Sequence, residues 1–206
     1  MTEKKKISII GSTGQIGKQT VDIIKNTKNF KISLISCEKD IKTLSDQIKN
    51  QKPAAVYIKS EESKKKFKKL KFKHKFRLLE NDYELANYCS SPSTDILVAC
   101  SSGINSIKST IAALKSNKKV CIASKEIFML YGRQLMKISK KYKNIILPID
   151  SEHSGIFQTL NPQDKKTIKS IYITASGGPF FALNTSELKK VTIKRALKHP
   201  TWKMGN

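Results

Sequence analysis

Short apolar runs alternate with stretches of helical period along most of the chain. Residues 7–10 (Ile7-Ser8-Ile9-Ile10) form the first run, residues 30–36 a second with clear alternation, and residues 54–58 a third, just after Pro53. Further runs fall at 95–99, 119–123 and 145–149. Between them, residues 17–25 predict a helix with Val21, Ile23 and Ile24 inward. Ile41, Leu44 and Ile48 recur at helical spacing, and residues 104–114 and 127–140 predict two more helices. Residues 59–77, crowded with lysine, read as an exposed helix and loop. Short strands without strict alternation predict a mainly parallel sheet buried on both faces, in an α/β domain.

From about Glu152 the pattern changes. A short helix is expected at 156–160, a strand at 170–174, and a tight turn at 175–180. Residues 198–206 carry no element and include the only tryptophan, Trp202, so the chain is expected to be a piece of a longer protein. The predicted organisation is one domain over residues 1–150 and part of a second over 151–206.

At 206 residues there is room for one generous core and the start of another. No apolar run is long enough to span a bilayer, and the run after Met1 is too short for a signal-peptide core, which predicts a cytoplasmic protein without a membrane partner. The four cysteines are widely spaced and form no C-x-x-C pair, so free thiols are expected rather than a disulfide frame or a zinc site. The net charge of +24 raises a nucleic-acid reading. However, 37 of the 40 basic residues are lysine and only Arg77, Arg133 and Arg195 are arginine. Base-reading surfaces favour the flat guanidinium fork, so a solvated lysine-rich surface is the better reading and no specific nucleic-acid partner is expected.

Two motifs carry candidate chemistry. Gly11, Gly14 and Gly17 lie between the first strand and the first helix, where bare backbone and a helix N-terminus can receive a pyrophosphate. Their G-x-x-G-x-x-G spacing departs from the usual dinucleotide fingerprint. After the second strand, where an adenosine ribose would lie, Glu38, Lys39 and Asp40 offer both signs of charge; Lys39 permits a 2′-phosphate. Further on, Asp150 and Glu152 follow an apolar run. If the strand persists, both point to one face and suit Mg²⁺ or Mn²⁺; alternatively, Asp150 or Ser151 caps a helix. Lys125, within Ser124-Lys125-Glu126, could carry a proton or bind a substrate oxygen, or be one more exposed lysine. His199, beside Pro200 and near Trp202, could belong to a lid or to a frayed end.

Taken together the chain resembles the 1-deoxy-D-xylulose 5-phosphate reductoisomerases. The matching stretches are Gly-Ser-Thr-Gly-Gln-Ile-Gly at 11–17, Ser-Lys-Glu at 124–126, Pro-Ile-Asp-Ser-Glu-His-Ser-Gly-Ile-Phe-Gln at 148–158, Ala-Ser-Gly-Gly-Pro-Phe at 175–180 and His-Pro-Thr-Trp-Lys-Met-Gly at 199–205. The resemblance implies a Rossmann-like NADPH-binding domain followed by the first part of an α+β catalytic domain. It implies contacts to NADPH from Thr13, Gly14, Gln15, Ile16, Glu38, Lys39, Asp40, Ser124, Glu126 and Gly205. It places Lys125, Ser151, Glu152, Ser176 and His199 on a sugar-phosphate substrate, and Asp150 and Glu152 on Mg²⁺ or Mn²⁺. Lys125, Asp150, Glu152 and His199 are the implied catalytic residues, with Trp202 and Met204 in a closing loop.

The implied reaction is metal-dependent isomerisation followed by NADPH reduction, in isoprenoid precursor synthesis by the non-mevalonate route, in an enzyme that is a homodimer when whole. Three departures stand out. Serine replaces the family's usual asparagine at 124, Glu38 and Asp40 stand where the family tends to carry glycine and asparagine, and family members are considerably longer. The competing readings are a metal-independent oxidoreductase of the semialdehyde or homoserine dehydrogenase type, a lysine-rich nucleic-acid-binding module, and a non-catalytic remnant that binds NADPH alone.

Overall fold

A computed structural model describes residues 3–160, 165–174 and 177–198. It separates into two units, residues 1–162 and 163–206. In the first unit strands and helices alternate: β1 (Lys5–Ile10), α1 (Gln15–Lys25), β2 (Phe30–Cys37), α2 (Ile41–Gln51), β3 (Ala55–Ile58), α3 (Glu61–Lys68) and β4 (Arg77–Leu79). They are followed by α4 (Asp82–Ser90), β5 (Ile96–Ala99), α5 (Ile107–Lys115), β6 (Lys119–Ile122), α6 (Lys125–Lys141), β7 (Ile146–Pro148) and α7 (Ser151–Leu160).

The seven strands form one all-parallel sheet in the order β4-β3-β2-β1-β5-β6-β7. Parallel neighbours need crossover helices, which cover both faces and turn the strands into nearly unbroken apolar runs. The residues divide between the faces with a period of two. Ala55 and Tyr57 join Leu34, Leu97 and Ile122 in one core, while Val56 and Ile58 join Ile9, Ile35 and Leu44 in the other. Where β1 sits between β2 and β5, successive connections leave in opposite directions. That reversal opens a crevice at the carboxyl ends of the strands, where ligands of open α/β sheets bind. It makes the α/β, mainly parallel expectation for this region correct.

Local readings needed adjustment. Within α1 only Val21 and Ile24 are buried among the three apolar residues expected inward; Ile23 is 65% exposed, because two residues along a helix turn a side chain roughly 200° away. The helix expected from 104 starts at Ile107, after a turn in which Gly103 takes a positive φ of 63°. Residues 59–77 are not simply exposed. Lys64 is buried, and Phe67, Phe72 and Phe76 cluster with ring centroids 5.1 to 6.0 Å apart. This segment delivers the edge strand β4, which pairs with β3. All four cysteines are free, as expected; Cys37 and Cys89 are buried, and burial pushes both thiols up to about 12.

In the second unit the described elements are a 3-10 turn (Lys165–Thr167) and two short helices, α8 (Thr185–Leu188) and α9 (Ile193–Ala196). Helix α8 opens with a capping box between Asn184 and Glu187. The strand expected at 170–174 does not form. Ile171, Tyr172 and Ile173 are exposed, Tyr172 by 91%, and no described strand pairs with them. A β-rich run becomes a strand only when a ladder partner satisfies its backbone. Among the described residues no helix is long and apolar enough to cross a membrane.

Candidate functional site

The sheet topology brings four connections to one rim. Ile10 of β1 lies beside Ala99 of β5, Ala99 beside Ile122 of β6, and Ile122 beside Pro148 of β7. The glycine loop, the start of α5, the start of α6 and the start of α7 therefore follow one another along the carboxyl rim.

In the glycine loop the three glycines have different reasons. Gly11 has a φ of +82°, and a Cβ there would stand 2.7 Å from the backbone nitrogen of Ser101. A Cβ on Gly17 would meet the Gly11 carbonyl at 2.2 Å. Those two are required by the turn and by close packing of strand against helix. Gly14 is different: its Cβ would meet only the Gly11 carbonyl, at 3.5 Å, an ordinary contact. It is the N-cap of α1, without a side-chain cap, and the first turn holds no acidic residue. The free N–H groups of that turn, next to a bare backbone, fit an anionic phosphate.

The loop is held rigidly from behind. The Gly11 N–H donates to the Ser36 hydroxyl at 2.9 Å, and the Ser12 N–H to the Ser36 carbonyl at 2.8 Å. Buried Ser12 also donates its hydroxyl to Gln47 Oε1, and Gln47 Nε2 donates to the Ser12 carbonyl. Ser12, Ser36 and Gln47 escaped sequence reasoning because their roles depend on contacts 24 to 35 residues away.

The cofactor candidates are placed along this rim. Thr13 is half-buried; Gly14, Gln15 and Ile16 are exposed around the start of α1. Glu38, Lys39 and Asp40 are exposed just past β2, and Asp40 caps α2 by accepting from the Thr43 N–H at 3.0 Å. Burial raises the Asp40 carboxyl, but the Thr43 hydrogen bonds, with Lys18 and Lys42, outweigh it and hold the carboxyl below its ordinary value. Ser124 is buried, its hydroxyl 2.6 Å from the Gly103 carbonyl and 2.8 Å from Glu126 Oε2. The N–H of Glu126 itself, and then that hydroxyl, lower the Glu126 carboxyl.

Of the two readings of the acidic pair, a shared strand face or a helix cap, the structure takes the cap. β7 ends at Pro148, so the carboxylates do not share a strand face. Asp150 instead caps α7, accepting from the His153 N–H at 2.9 Å, and Glu152 lies in that helix's first turn. They converge on Lys125, the first residue of α6, whose ammonium is 3.1 Å from Asp150 Oδ2 and 3.0 Å from Glu152 Oε2. The His153 ring also hydrogen-bonds Asp150 through Nδ1 and lies 5.2 Å from the Phe128 ring. His153 was given no role from sequence; its signal was its place three residues after a capping aspartate.

Asp150 is only 7% exposed. Burial raises its carboxyl, but hydrogen bonds from the His153 backbone and ring and from Lys125 outweigh that and lower it. The hydrogen bond to Glu152, then that to Asp150, raises the Lys125 ammonium. Two hard carboxylate oxygens already grip a cation here, which suits a small divalent metal. Among the described residues no group of three His, Cys, Asp or Glu side chains is arranged around a metal position. Ser151 is exposed on the first turn of α7. Ser176, His199, Trp202, Met204 and Gly205 lie outside the described residues.

Comparison with known proteins agrees with the geometry. The 1-deoxy-D-xylulose 5-phosphate reductoisomerase family matches residues 7–132, and its C-terminal domain matches residues 146–206. The reductoisomerase of Endomicrobium trichonymphae is 40% identical over 204 residues, covering 98% of this chain and 53% of the relative. That of Agathobacter rectalis is 38% identical over 208 residues, with the same coverage. The chain thus spans about half the length of the curated relatives it matches. Among solved structures, the Zymomonas mobilis reductoisomerase in complex with NADPH aligns with a TM-score of 0.87 at 27% identity, over 96% of this chain and 52% of that one. A reductoisomerase in complex with NADPH, fosmidomycin and magnesium aligns with a TM-score of 0.80 at 28% identity, over 98% of this chain and 52% of that one.

Proposed function

This chain belongs to the 1-deoxy-D-xylulose 5-phosphate reductoisomerase family, and we propose that it holds the NADPH and supplies two metal ligands for that family's reaction. The substrate would be 1-deoxy-D-xylulose 5-phosphate and the product 2-C-methyl-D-erythritol 4-phosphate. The observation that carries this reading is the convergence of Lys125, Asp150 and Glu152 on the rim that also bears the glycine loop. A metal-independent dehydrogenase leaves that cluster without a task, and a nucleic-acid module leaves the uncapped glycine turn without one.

Residues 1–150 would serve as the cofactor part and residues 151–206 as the start of the catalytic part. The N–H groups at Gln15 and Ile16 would bind the pyrophosphate, with Thr13 beside it, and Lys39 would neutralise a 2′-phosphate. Ser124 and Glu126, at the start of α6, would face the nicotinamide side. Asp150 and Glu152 would hold Mg²⁺ or Mn²⁺, which when bound supplies Lewis-acid polarisation of substrate oxygens. His153 keeps the Asp150 carboxylate oriented from behind. Lys125, released from the carboxylates, would donate to a substrate oxygen. Ser151, Ser176 and His199 would add substrate contacts, and Gly205 a cofactor contact. The whole enzyme would act as a cytoplasmic homodimer.

Calorimetric titration of the chain with NADPH tests the cofactor half, with Gly14→Val as its control. A Cβ at 14 meets no close protein neighbour, so the variant should keep its melting temperature within a few degrees while losing at least about tenfold in affinity, roughly 1.4 kcal/mol. A folded sample that binds no NADPH overturns the reading.

A further inference from the structure

At the amino edge of the sheet, opposite the glycine loop, lies a cavity of about 580 Å³ between the end of α2 and the segment that enters β4. Its apolar lining is Ile48 and Phe72, and its charged lining is Lys49, Lys52, Lys71 and Lys73, with His74 beside them. The volume falls within the range of small-molecule sites, about 300–1,000 Å³.

The charge is more concentrated than the lysine-rich composition explains. Among the described residues four of the seven that line the cavity are lysine, against 37 of 206 in the chain, and none is a carboxylate. The sequence from Ser63 to Leu79 contains no acidic residue at all. Lys49 has an exposed partner, Asp46, at 3.7 Å, whereas Lys52, Lys71 and Lys73 form no ion pair among the described residues. Lys49 and Lys52 sit at the carboxyl end of a helix, where cations offset its dipole. Lys71 and Lys73 have no such reason.

The wall is well built. Phe72 is half-buried against Phe67 and Phe76, at 5.1 and 5.3 Å between ring centroids. His74 Nε2–H donates to the Pro53 carbonyl at 2.8 Å, tying the segment to the start of β3. Unpaired cations crowded around a cavity repel one another and gain from a bound anion. An inorganic anion alone would leave the apolar lining wet, and a neutral apolar molecule would leave the cations uncompensated.

We propose that this cavity is a second ligand site, for a small phosphate ester with a planar or apolar body. The phosphate oxygens lie among Lys52, Lys71 and Lys73, and the body lies against Phe72 and Ile48. The site is separate from the rim that bears Lys125, Asp150 and Glu152, and its occupancy does not depend on the reaction performed there.

The test is a titration of the ¹⁵N-labelled chain, saturated with NADPH, with phenyl phosphate, and in parallel with inorganic phosphate and with sodium chloride at matched ionic strength. The expected result is saturable amide shifts at residues 48–52 and 71–74, with phenyl phosphate at least about fivefold tighter than phosphate. The double variant Lys71→Gln, Lys73→Gln should keep the rest of the spectrum and weaken phenyl phosphate at least about fivefold. Shifts reproduced by chloride, equal affinity for phosphate and its ester, shifts confined to the glycine loop, or a double variant that binds normally would each overturn the proposal.

Discussion

Asp150 joins fold and chemistry in one side chain. Its carboxylate caps α7, hydrogen-bonds the His153 ring and receives the Lys125 ammonium, all while nearly buried. Burial alone would favour the neutral acid; the three donors reverse that. Its folded value therefore lies below the ordinary 3.8. A carboxyl depressed on folding adds stability that is present above the unfolded value and is lost as pH falls through the folded one. Urea midpoints taken from about pH 6 to about pH 2.5 should show this loss below about pH 4, and Asp150→Asn should flatten that part of the curve. An unchanged acid limb in the variant would contradict the account. Lys125 has the opposite sign: raised by Glu152 first and Asp150 second, its contribution fades only in strong alkali, as pH rises past its folded value.

At the scale of elements, the α3–β4 segment shows how composition can hide architecture. So many lysines between 59 and 77 suggest a solvated face. Yet Phe72, His74, Phe76 and Leu78 alternate with Lys71, Lys73, Lys75 and Arg77, the period of an extended chain with one side packed. Helix α3 turns Ser63, Lys64 and Phe67 inward. The Lys64 stem is buried, and its ammonium reaches the Glu61 carboxylate at 2.7 Å and the Glu80 carbonyl at 2.5 Å. A long cationic side chain packs this way when its head finds acceptors. Lys64→Ala removes the stem and leaves the Glu80 carbonyl without that donor. It should lower stability by about 1–3 kcal/mol in chemical denaturation, whereas exposed Lys65→Ala should change it by under about 0.5 kcal/mol. The converse case is residues 170–174, whose β-rich sequence stays unpaired because no described strand offers a ladder.

For the whole molecule, the parallel sheet gathers the glycine turn and the acidic cluster on one rim, where the Asp150 and Glu152 carboxylates meet at the Lys125 ammonium. The relatives are about twice as long. These 206 residues alone should therefore bind NADPH without oxidising it measurably in the presence of 1-deoxy-D-xylulose 5-phosphate and Mn²⁺, as followed by nicotinamide absorbance. Steady turnover by the purified chain would mean that its own residues complete the site.

The amino-acid sequence by itself determined six of the seven strands it announces, the glycine turn after the first of them, the acidic tetrapeptide after the last of those six and, through contiguous blocks, the family. Those features depend on residues close together in the chain, where period and spacing are sufficient. Only the tertiary structure decided that Lys125 stands between Asp150 and Glu152, that Ser36 and Gln47 brace the glycine loop, that Lys64 is buried, and that Ile23 faces water. Each depends on which distant segment arrives to supply a donor, an acceptor or an apolar surface, and a linear pattern does not encode that meeting residue by residue.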